Sequence, residues 1–248
     1  MRKVVLLILI ISQILCFYWT AFTESLPSVR IKDIARIQSI YDQPIYGYGL
    51  VVGLNGTGDS AGAMFTVQSI VNMMSRFGIE IPQNRLSVKN VAAVMVTAEL
   101  PFFAKVGSRI DVLVSSLGDA KSISGGTLLA TPLTLPDGKL CALAQGAISV
   151  GGFSANASSG ENSVQKNHPT VGRVPNGGLI KYVPNANYAD GNDLIVVLND
   201  PDFTTSARMV SAINNTFSGI AKAIDASSVS ITIPESSKGD IVSFVSQI

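Results

Sequence analysis

Residues 45–59 read IYGYGLVVGLNGTGD, and this stretch sets the interpretation of the chain that follows. Its first ten residues are apolar or aromatic apart from glycines, which stand where a side chain would crowd a neighbouring strand. Asn55-Gly56 then predicts a turn, and Thr57-Gly58-Asp59 continues the loop. The stretch therefore predicts a buried β-strand that ends in a glycine-rich loop.

The hydrophobic period changes after this loop. From Phe65 onward, apolar residues recur at intervals of three and four: Val67, Ile70, Val71, Met74 and Phe77. Gly78 follows the last of them, at a position typical of a helix C-cap. We predict one amphipathic helix here.

Strand patterns dominate the next part of the chain. The segments 88–98, 110–114 and 140–150 are rich in valine and other apolar residues, and Gly and Pro clusters separate them. Residues 24–150 therefore predict a β-rich N-terminal domain with a single helix. Residues 151–180 shift to Gly, Ser and Asn, which predicts a loop or linker between domains.

Residues 181–248 predict an α/β lobe. Strand patterns lie at 194–198 and 229–233, and a helix is expected from about Thr204, capped by Asp202 or by Thr204 itself. The expected inward face of this helix consists of Ala207, Val210, Ile213 and Phe217. A last helix near Lys238 places Ile241, Phe244, Val245 and Ile248 on one face, so we expect further chain to bury it and interpret the lobe as truncated. The fold class expected for the whole chain is α+β and β-rich, with mixed sheets and a few amphipathic helices in at least two lobes.

The N-terminus has the layout of a secretory signal peptide. Arg2 and Lys3 precede an apolar run from Val4 to Phe17, which is shorter than the roughly 20 residues of a transmembrane helix. Leu15 disfavours a lipoprotein anchor at Cys16, because lipoprotein processing requires a small residue before the cysteine. We expect residues 1–23 to be a cleavable signal peptide and the mature protein to be exported.

Charge and composition favour a protein that assembles with other proteins. Lys and Arg number 18 and Asp and Glu 17, a net charge of +1 that predicts no nucleic-acid partner. Only 14% of residues are charged while 47% are hydrophobic, which suits a surface that is partly buried against neighbours.

Few residues are suited to catalysis. His168 is the one histidine, and the spacing Gly53-x-x-Gly56-x-Gly58 matches neither a dinucleotide fingerprint nor a phosphate-binding loop. A pair of carboxylates could act on a glycan, and the candidates are Asp111, Asp119, Asp190, Asp193, Asp200 and Asp202. Solvated turns are the simpler interpretation of those aspartates, so no catalytic residue, cofactor or metal is predicted.

Cys141 would have no partner within the chain once Cys16 is removed with the signal peptide. Its setting, Leu140-Cys141-Ala142-Leu143-Ala144, favours a buried position in a strand. Pairing with a cysteine of another chain is the alternative.

Several blocks, in order along the chain, resemble the bacterial flagellar P-ring protein family. The stretch 45–59 is the most specific of them, and Lys89-Asn90-Val91-Ala92-Ala93-Val94-Met95-Val96-Thr97-Ala98 is similar to the family's next block. Further blocks lie at 107–122, 125–129, 142–146, 172–177 and 199–203. The family chain continues past the position of Ile248 through a β-rich region that carries its disulfide cysteines.

The resemblance implies a structural subunit of the periplasmic ring that surrounds the flagellar rod at the peptidoglycan layer, as part of the bushing in which the rod turns. The implied partners are further copies of the chain in a closed homo-oligomeric ring, the L-ring protein, the rod, peptidoglycan and a periplasmic chaperone. Lys89, Lys121 and Arg109 lie within the family-like blocks and are the basic residues expected to contribute to assembly contacts. The alternative function is a periplasmic peptidoglycan-binding or glycan-active protein that uses the aspartates.

Overall fold

The computed structural model describes residues 28–81, 88–151, 169–184 and 192–248. The predicted signal peptide, Asp190 and His168 lie outside these ranges. The chain divides into two compact units, one spanning Ser39–Tyr188 and the other combining the chain up to Gln38 with Ala189–Ile248. Within the described ranges, no helix combines the length and apolar character needed to cross a membrane.

The elements, in chain order, are α1 (Ile31–Ile34), β1 (Ala35–Ile37), β2 (Gln43–Val52), α2 (Met64–Arg76), β3 (Val91–Leu100), β4 (Arg109–Ser116), β5 (Thr127–Thr134), β6 (Leu140–Ala147), β7 (Val171–Ile180), β8 (Asp193–Leu198), α3 (Phe203–Phe217), β9 (Ala221–Ala223), β10 (Ser228–Thr232) and α4 (Ile241–Gln247). A short 3-10 turn, Glu235–Ser237, precedes α4.

A closed β-barrel forms the core of the larger unit. Its described strands pair in the order β2-β3-β4-β7-β6-β5, and β5 pairs with β2 to close it. Alternate residues of each strand point inward because successive side chains of a strand face opposite sides. The inward side chains form one buried apolar cluster that includes Ile45, Val51, Val94, Val96, Val114, Leu128, Leu133 and Ile180.

Two glycines allow β2 and β5 to approach each other closely. A Cβ atom at Gly47 would lie 2.0 Å from the carbonyl oxygen of Pro132, and one at Gly49 would lie 2.3 Å from Thr131 Oγ1. The register between β2 and β5 shifts at this place, between Tyr46 and Val51. The glycines quoted from the 45–59 stretch therefore serve the closure of the barrel.

Helix α2 packs on the outside of the barrel. Val67 and Ile70 contact Leu50 of β2 and Ala93 of β3, and this second apolar cluster also includes Val88. The predicted helix is confirmed, and Gly78 has the positive φ of +76° that a residue after a helix C-terminus commonly adopts.

The smaller unit is an antiparallel sheet of order β1-β8-β10-β9 with α3 packed against β9 and β10. Asp202 caps α3 by accepting a hydrogen bond from the Thr205 N–H at 2.6 Å. Asn214 connects α3 to β9 through two hydrogen bonds with the Ala221 backbone, at 2.8 and 2.9 Å. The rings of Phe217 and Phe244 meet edge to face, with their centroids 5.4 Å apart.

The structure corrects part of the predicted helix face. Ser206, Met209 and Ile213 are the buried residues of α3, whereas Ala207 is exposed. Ser206 faces inward because its hydroxyl donates to the Asp225 carbonyl at 3.1 Å, a partner in the tertiary structure that hydrophobic period cannot reveal.

The α+β, β-rich class is confirmed, with two corrections. Every strand pairing among the described residues is antiparallel, so the expectation of mixed sheets is wrong. Val171–Ile180, predicted as the end of the loop over 151–180, form barrel strand β7. The loop-like composition of β7 has a packing cause, because a Cβ at Gly172 would lie 2.4 Å from Ile148 Cγ2 and one at Gly177 2.5 Å from Val174 Cγ1.

Candidate functional site

The loop that follows β2 turns back over the end of the barrel. Gly53 and Gly56 have φ values of +82° and +73°, which favour glycine because it lacks a Cβ. The Gly56 N–H donates to the side-chain oxygen of Asn90 at 3.0 Å, and the Leu54 N–H donates to the Asn90 carbonyl at 3.1 Å. The turn predicted at Asn55-Gly56 therefore brings this loop against the start of β3.

Asp59 is the most buried charged residue of this region, with none of its surface exposed. Its Oδ2 accepts from Thr66 Oγ1 at 2.6 Å and from the Ala93 N–H at 2.8 Å. Its Oδ1 accepts from the Ala120 N–H at 2.9 Å. These bonds satisfy a carboxylate that would otherwise be costly to bury, and they join the loop, α2, β3 and the segment after β4 at one point. We call this arrangement the Asp59 node.

Lys89 and Lys121 lie on either side of the loop that carries Asp59. The Lys89 carbonyl accepts from the Gly58 N–H at 2.7 Å, and the Lys121 N–H donates to the Thr57 carbonyl at 2.8 Å. Both residues are exposed. The structure thus brings together two of the three basic residues selected from the sequence.

Arg109 lies elsewhere on the barrel. It is the first residue of β4, at the end opposite to the one that leads to Lys121, and its Nη1 donates to the Asn176 carbonyl at 3.1 Å. This bond ties it to β7 rather than to the Asp59 node.

The segment after β4 is fitted closely to the node. A Cβ at Gly118 would lie 2.3 Å from Asp59 Oδ1. The next residue, Asp119, accepts from the Ser60 N–H at 2.8 Å. Hydrogen bonding with the side chain of Ser60, and then with its backbone, lowers the pKa of the Asp119 carboxyl. Two aspartates therefore join the loop after β2 to the segment after β4: the buried Asp59 and the exposed Asp119.

The outer face of the barrel exposes apolar and aromatic side chains in two cross-strand rows. Tyr46, Thr97, Leu113 and Arg173 stand side by side across β2, β3, β4 and β7, and Tyr48, Met95, Ser115 and Val171 form the next row. Both tyrosines, Leu113 and Val171 are exposed. An exposed apolar surface of this kind is typical of a contact with another macromolecule.

The aspartates selected for possible catalysis act as local hydrogen-bond acceptors where the structure describes their contacts. Asp111 accepts from the Asn176 N–H at 2.8 Å and lies 3.6 Å from Arg173, in a groove of ≈ 610 Å³ that Asp42 and Glu99 also line. Asp193 accepts from Thr232 Oγ1 at 2.8 Å, and Asp202 caps α3. Across the described ranges, no group of three or more His, Cys, Asp or Glu residues is placed to bind a metal.

Cys141 is buried in β6, as predicted, and none of its surface is exposed. Burial raises the pKa of its thiol, because the thiolate would lose its hydration.

Sequence reasoning missed the role of Asp59 and its partner Thr66. The available signal was a polar residue between glycines and a helix start, but the same pattern also describes a solvated turn. The donors from Ala93 and Ala120 come from segments 34 and 61 residues away in the chain, so only the fold shows that the carboxylate is buried.

Comparison with known proteins gives one family. The profile of the family described as flagellar P-ring protein matches residues 30–248. A flagellar P-ring protein of Geobacter metallireducens is 52% identical over 223 residues, which cover 89% of this chain and 60% of that protein. One from Aquifex aeolicus is 52% identical over 209 residues, covering 83% and 57%, and one from Pseudothermotoga lettingae is 44% identical over 249 residues, covering 100% and 71%.

The chain thus spans 60% of the length of the first of these relatives. The matched range includes every described strand and helix, the Asp59 node and both flanking lysines. The chain therefore belongs to the flagellar P-ring protein family.

Proposed function

We propose that this chain is a structural subunit of the flagellar P ring, assembling with copies of itself around the rod in the periplasm at the peptidoglycan layer. The ring would serve as part of the bushing for rotation and would meet the L-ring protein. Residues 1–23 would direct export as a cleaved signal peptide, and a periplasmic chaperone would assist assembly. The observation that carries the proposal is the family match over residues 30–248.

The surface of the barrel supports an assembling protein rather than an enzyme. Its two exposed rows offer apolar and aromatic area, and only 14% of the residues of the chain are charged. A closed ring of identical subunits uses two different faces of each subunit, so a large share of such a surface is buried on assembly. We assign no reaction, cofactor or nucleic-acid partner to the chain.

Lys89 and Lys121 are the basic residues that we propose for subunit or L-ring contacts. Both are exposed, and both flank the loop of the Asp59 node, so they offer two positive charges on adjoining segments. Arg109 is a weaker candidate because its guanidinium already donates to the Asn176 carbonyl.

The alternative of a peptidoglycan-binding or glycan-active protein has less support. Asp111 is engaged by Arg173 and the Asn176 N–H, and Asp202 is engaged as a helix cap. Such roles explain these carboxylates without a substrate.

Electron microscopy of isolated basal bodies tests the proposed function. Deleting the gene in the bacterium that encodes the chain should remove the periplasmic ring, and restoring the gene should bring the ring back. Rings that persist after the deletion would contradict the proposal.

Charge reversal tests the lysine contacts separately. Lys89→Glu and Lys121→Glu should each lower the number of rings, because a repulsive charge replaces an attractive one. Lys222→Glu, at an exposed lysine of the smaller unit, is the matched control and should leave the ring count unchanged. Wild-type ring counts in both Lys89→Glu and Lys121→Glu, as in the control, would remove Lys89 and Lys121 from the proposed contacts.

A further inference from the structure

The Asp59 carboxylate binds backbone groups on both sides of its loop. Oδ2 accepts from the N–H of Ala93 in β3, the strand that begins just after Lys89 and Asn90. Oδ1 accepts from the Ala120 N–H, next to Lys121. Each oxygen therefore holds one backbone N–H of a segment that lies close to an exposed lysine. A hydrogen bond between a buried charged acceptor and a backbone donor is stronger than one between neutral groups.

The backbone of residues 57–59 completes the connection. The Gly58 N–H and the Asp59 N–H donate to the Lys89 and Val91 carbonyls at 2.7 and 2.8 Å, while the Thr57 carbonyl accepts from Lys121. Three consecutive loop residues, 57–59, thus bind the Lys89 segment on one side and the Lys121 segment on the other.

The packing leaves little freedom in this connection. A Cβ at Gly58 would lie 2.4 Å from the Val91 carbonyl oxygen and 2.7 Å from that of Lys89. A Cβ at Gly118 would lie within 2.3–2.7 Å of three atoms of the Asp59 carboxyl group. The spacing of the two lysine-bearing segments is therefore set by a buried, closely packed group of atoms.

We propose that Asp59 is the positioning residue of the assembly contact: it holds the Lys89 and Lys121 segments in one fixed arrangement, so that a partner meets both positive charges at once. The inference rests on the proposed function, in which these lysines contribute to assembly. Asp59 itself is fully buried within the subunit. Its effect on assembly is transmitted through the two segments that it holds.

Asp59→Asn is the direct test. Each carboxylate oxygen accepts from one backbone N–H, so an amide in either orientation directs its NH₂ group at a backbone donor and loses that hydrogen bond. The readout is the number of rings in electron micrographs divided by the amount of protease-resistant subunit in the periplasm. A role confined to stability changes the amount of folded subunit but leaves this ratio constant. We expect the ratio to fall severalfold, because folded subunits no longer hold both lysine-bearing segments in the arrangement that a partner meets.

Thr66→Val is the matched control within the node. It removes the hydroxyl donor but keeps both backbone donors and the carboxylate. We expect the ratio of rings to folded subunit to stay at the wild-type value.

A milder pair of variants keeps the test decisive if Asp59→Asn does not fold. Asp119 is exposed and joins the Lys121 segment to the loop that carries Asp59, through the Ser60 N–H. Asp119→Ala removes this acceptor, whereas Asp119→Asn keeps an acceptor oxygen and loses only the charge. Positioning predicts fewer rings per folded subunit for Asp119→Ala and an unchanged ratio for Asp119→Asn.

The outcomes separate this inference from the proposed function. A normal ratio in folded Asp59→Asn overturns the positioning role, as do equal ratios in Asp119→Ala and Asp119→Asn. Normal rings in both Lys89→Glu and Lys121→Glu overturn the lysine contacts, and the positioning role with them. Loss of rings in the lysine variants together with a normal ratio in Asp59→Asn leaves the proposed function standing and refutes only the inference.

Discussion

Replacing Gly118 with alanine places a methyl group against the Asp59 carboxylate. The new Cβ would lie 2.3 Å from Oδ1, 2.6 Å from Cγ and 2.7 Å from Oδ2, whereas contacts below 3.0 Å are essentially never seen at real Cβ atoms. The carboxylate must therefore move by about 0.7 Å, the difference between 3.0 and 2.3 Å. A carboxylate displaced by this amount cannot keep hydrogen bonds of 2.6, 2.8 and 2.9 Å to three fixed donors.

The free-energy cost follows from two contributions. Overpacking a well-packed interior costs about 1–3 kcal/mol, and leaving one buried donor unsatisfied costs about 1–3 kcal/mol. We expect Gly118→Ala to lower the free energy of unfolding by about 3 kcal/mol. Gly151→Ala, in the same unit, is the control, because a Cβ there meets nothing within 4 Å.

A double-mutant cycle with Asp59→Ala identifies the source of that cost. Asp59→Ala deletes the three atoms that the new methyl group would meet, so Gly118→Ala should cost less than about 1 kcal/mol in that background. Urea unfolding followed by circular dichroism measures all four proteins. An equal cost of Gly118→Ala in both backgrounds would refute the close packing of Gly118 on Asp59.

Three further predictions concern the barrel interior and the smaller unit. With the other cysteine replaced by serine, Cys141 should react with Ellman's reagent at pH 8 only after unfolding, since it is buried and its thiol pKa is raised; equal rates with and without urea would contradict this. Met209→Ala should lower the free energy of unfolding by about 3 kcal/mol and Ala207→Ser by less than about 0.5 kcal/mol, and the reverse order in urea unfolding would restore the helix face predicted from sequence. Hydrogen bonds from Ser228 and the serine before it lower the pKa of Asp225 from 3.8 to about 2. Its stabilisation is therefore complete above its ordinary pKa and is lost as the pH falls toward 2, so the stability difference between wild type and Asp225→Asn should shrink between pH 7 and pH 2.5; a constant difference would show that Asp225 does not act through its charge.

Local sequence patterns predicted many of the helices and strands. The helix over Met64–Arg76 and the strands around Val94, Val112 and Val196 were predictable, because their apolar residues recur with the period of the element that they form. Asp202, one of the two residues predicted to cap α3, is the cap in the structure. These are features that a single segment decides by itself.

Features that depend on a distant segment were not predictable. The sequence of β7 includes Gly172, Pro175 and Gly177, so it reads as a loop until the strands that it pairs with are known. The same holds for β1, whose three residues pair with β8 from the other end of the chain. Asp59 is the clearest case, because its three donors come from three different segments.

The proximity of the Lys89 and Lys121 segments was only partly predictable. Each was selected because it lies in a family-like block, but 31 residues separate them in the sequence. Their backbones meet the same loop because β3 begins and β4 ends at the same end of the barrel, as their antiparallel register requires.

A cryo-electron microscopy map of the basal-body ring at side-chain resolution, from the bacterium that encodes this chain, tests the central claim most directly. We predict that each ring subunit contains the β2-β3-β4-β7-β6-β5 barrel with Asp59 buried, and that Lys89 and Lys121 of each subunit contact a neighbouring protein. A ring whose density does not contain this barrel would contradict the assignment of the chain to the ring. A ring that contains the barrel with both lysines facing solvent would contradict the proposed role of the Asp59 node in assembly.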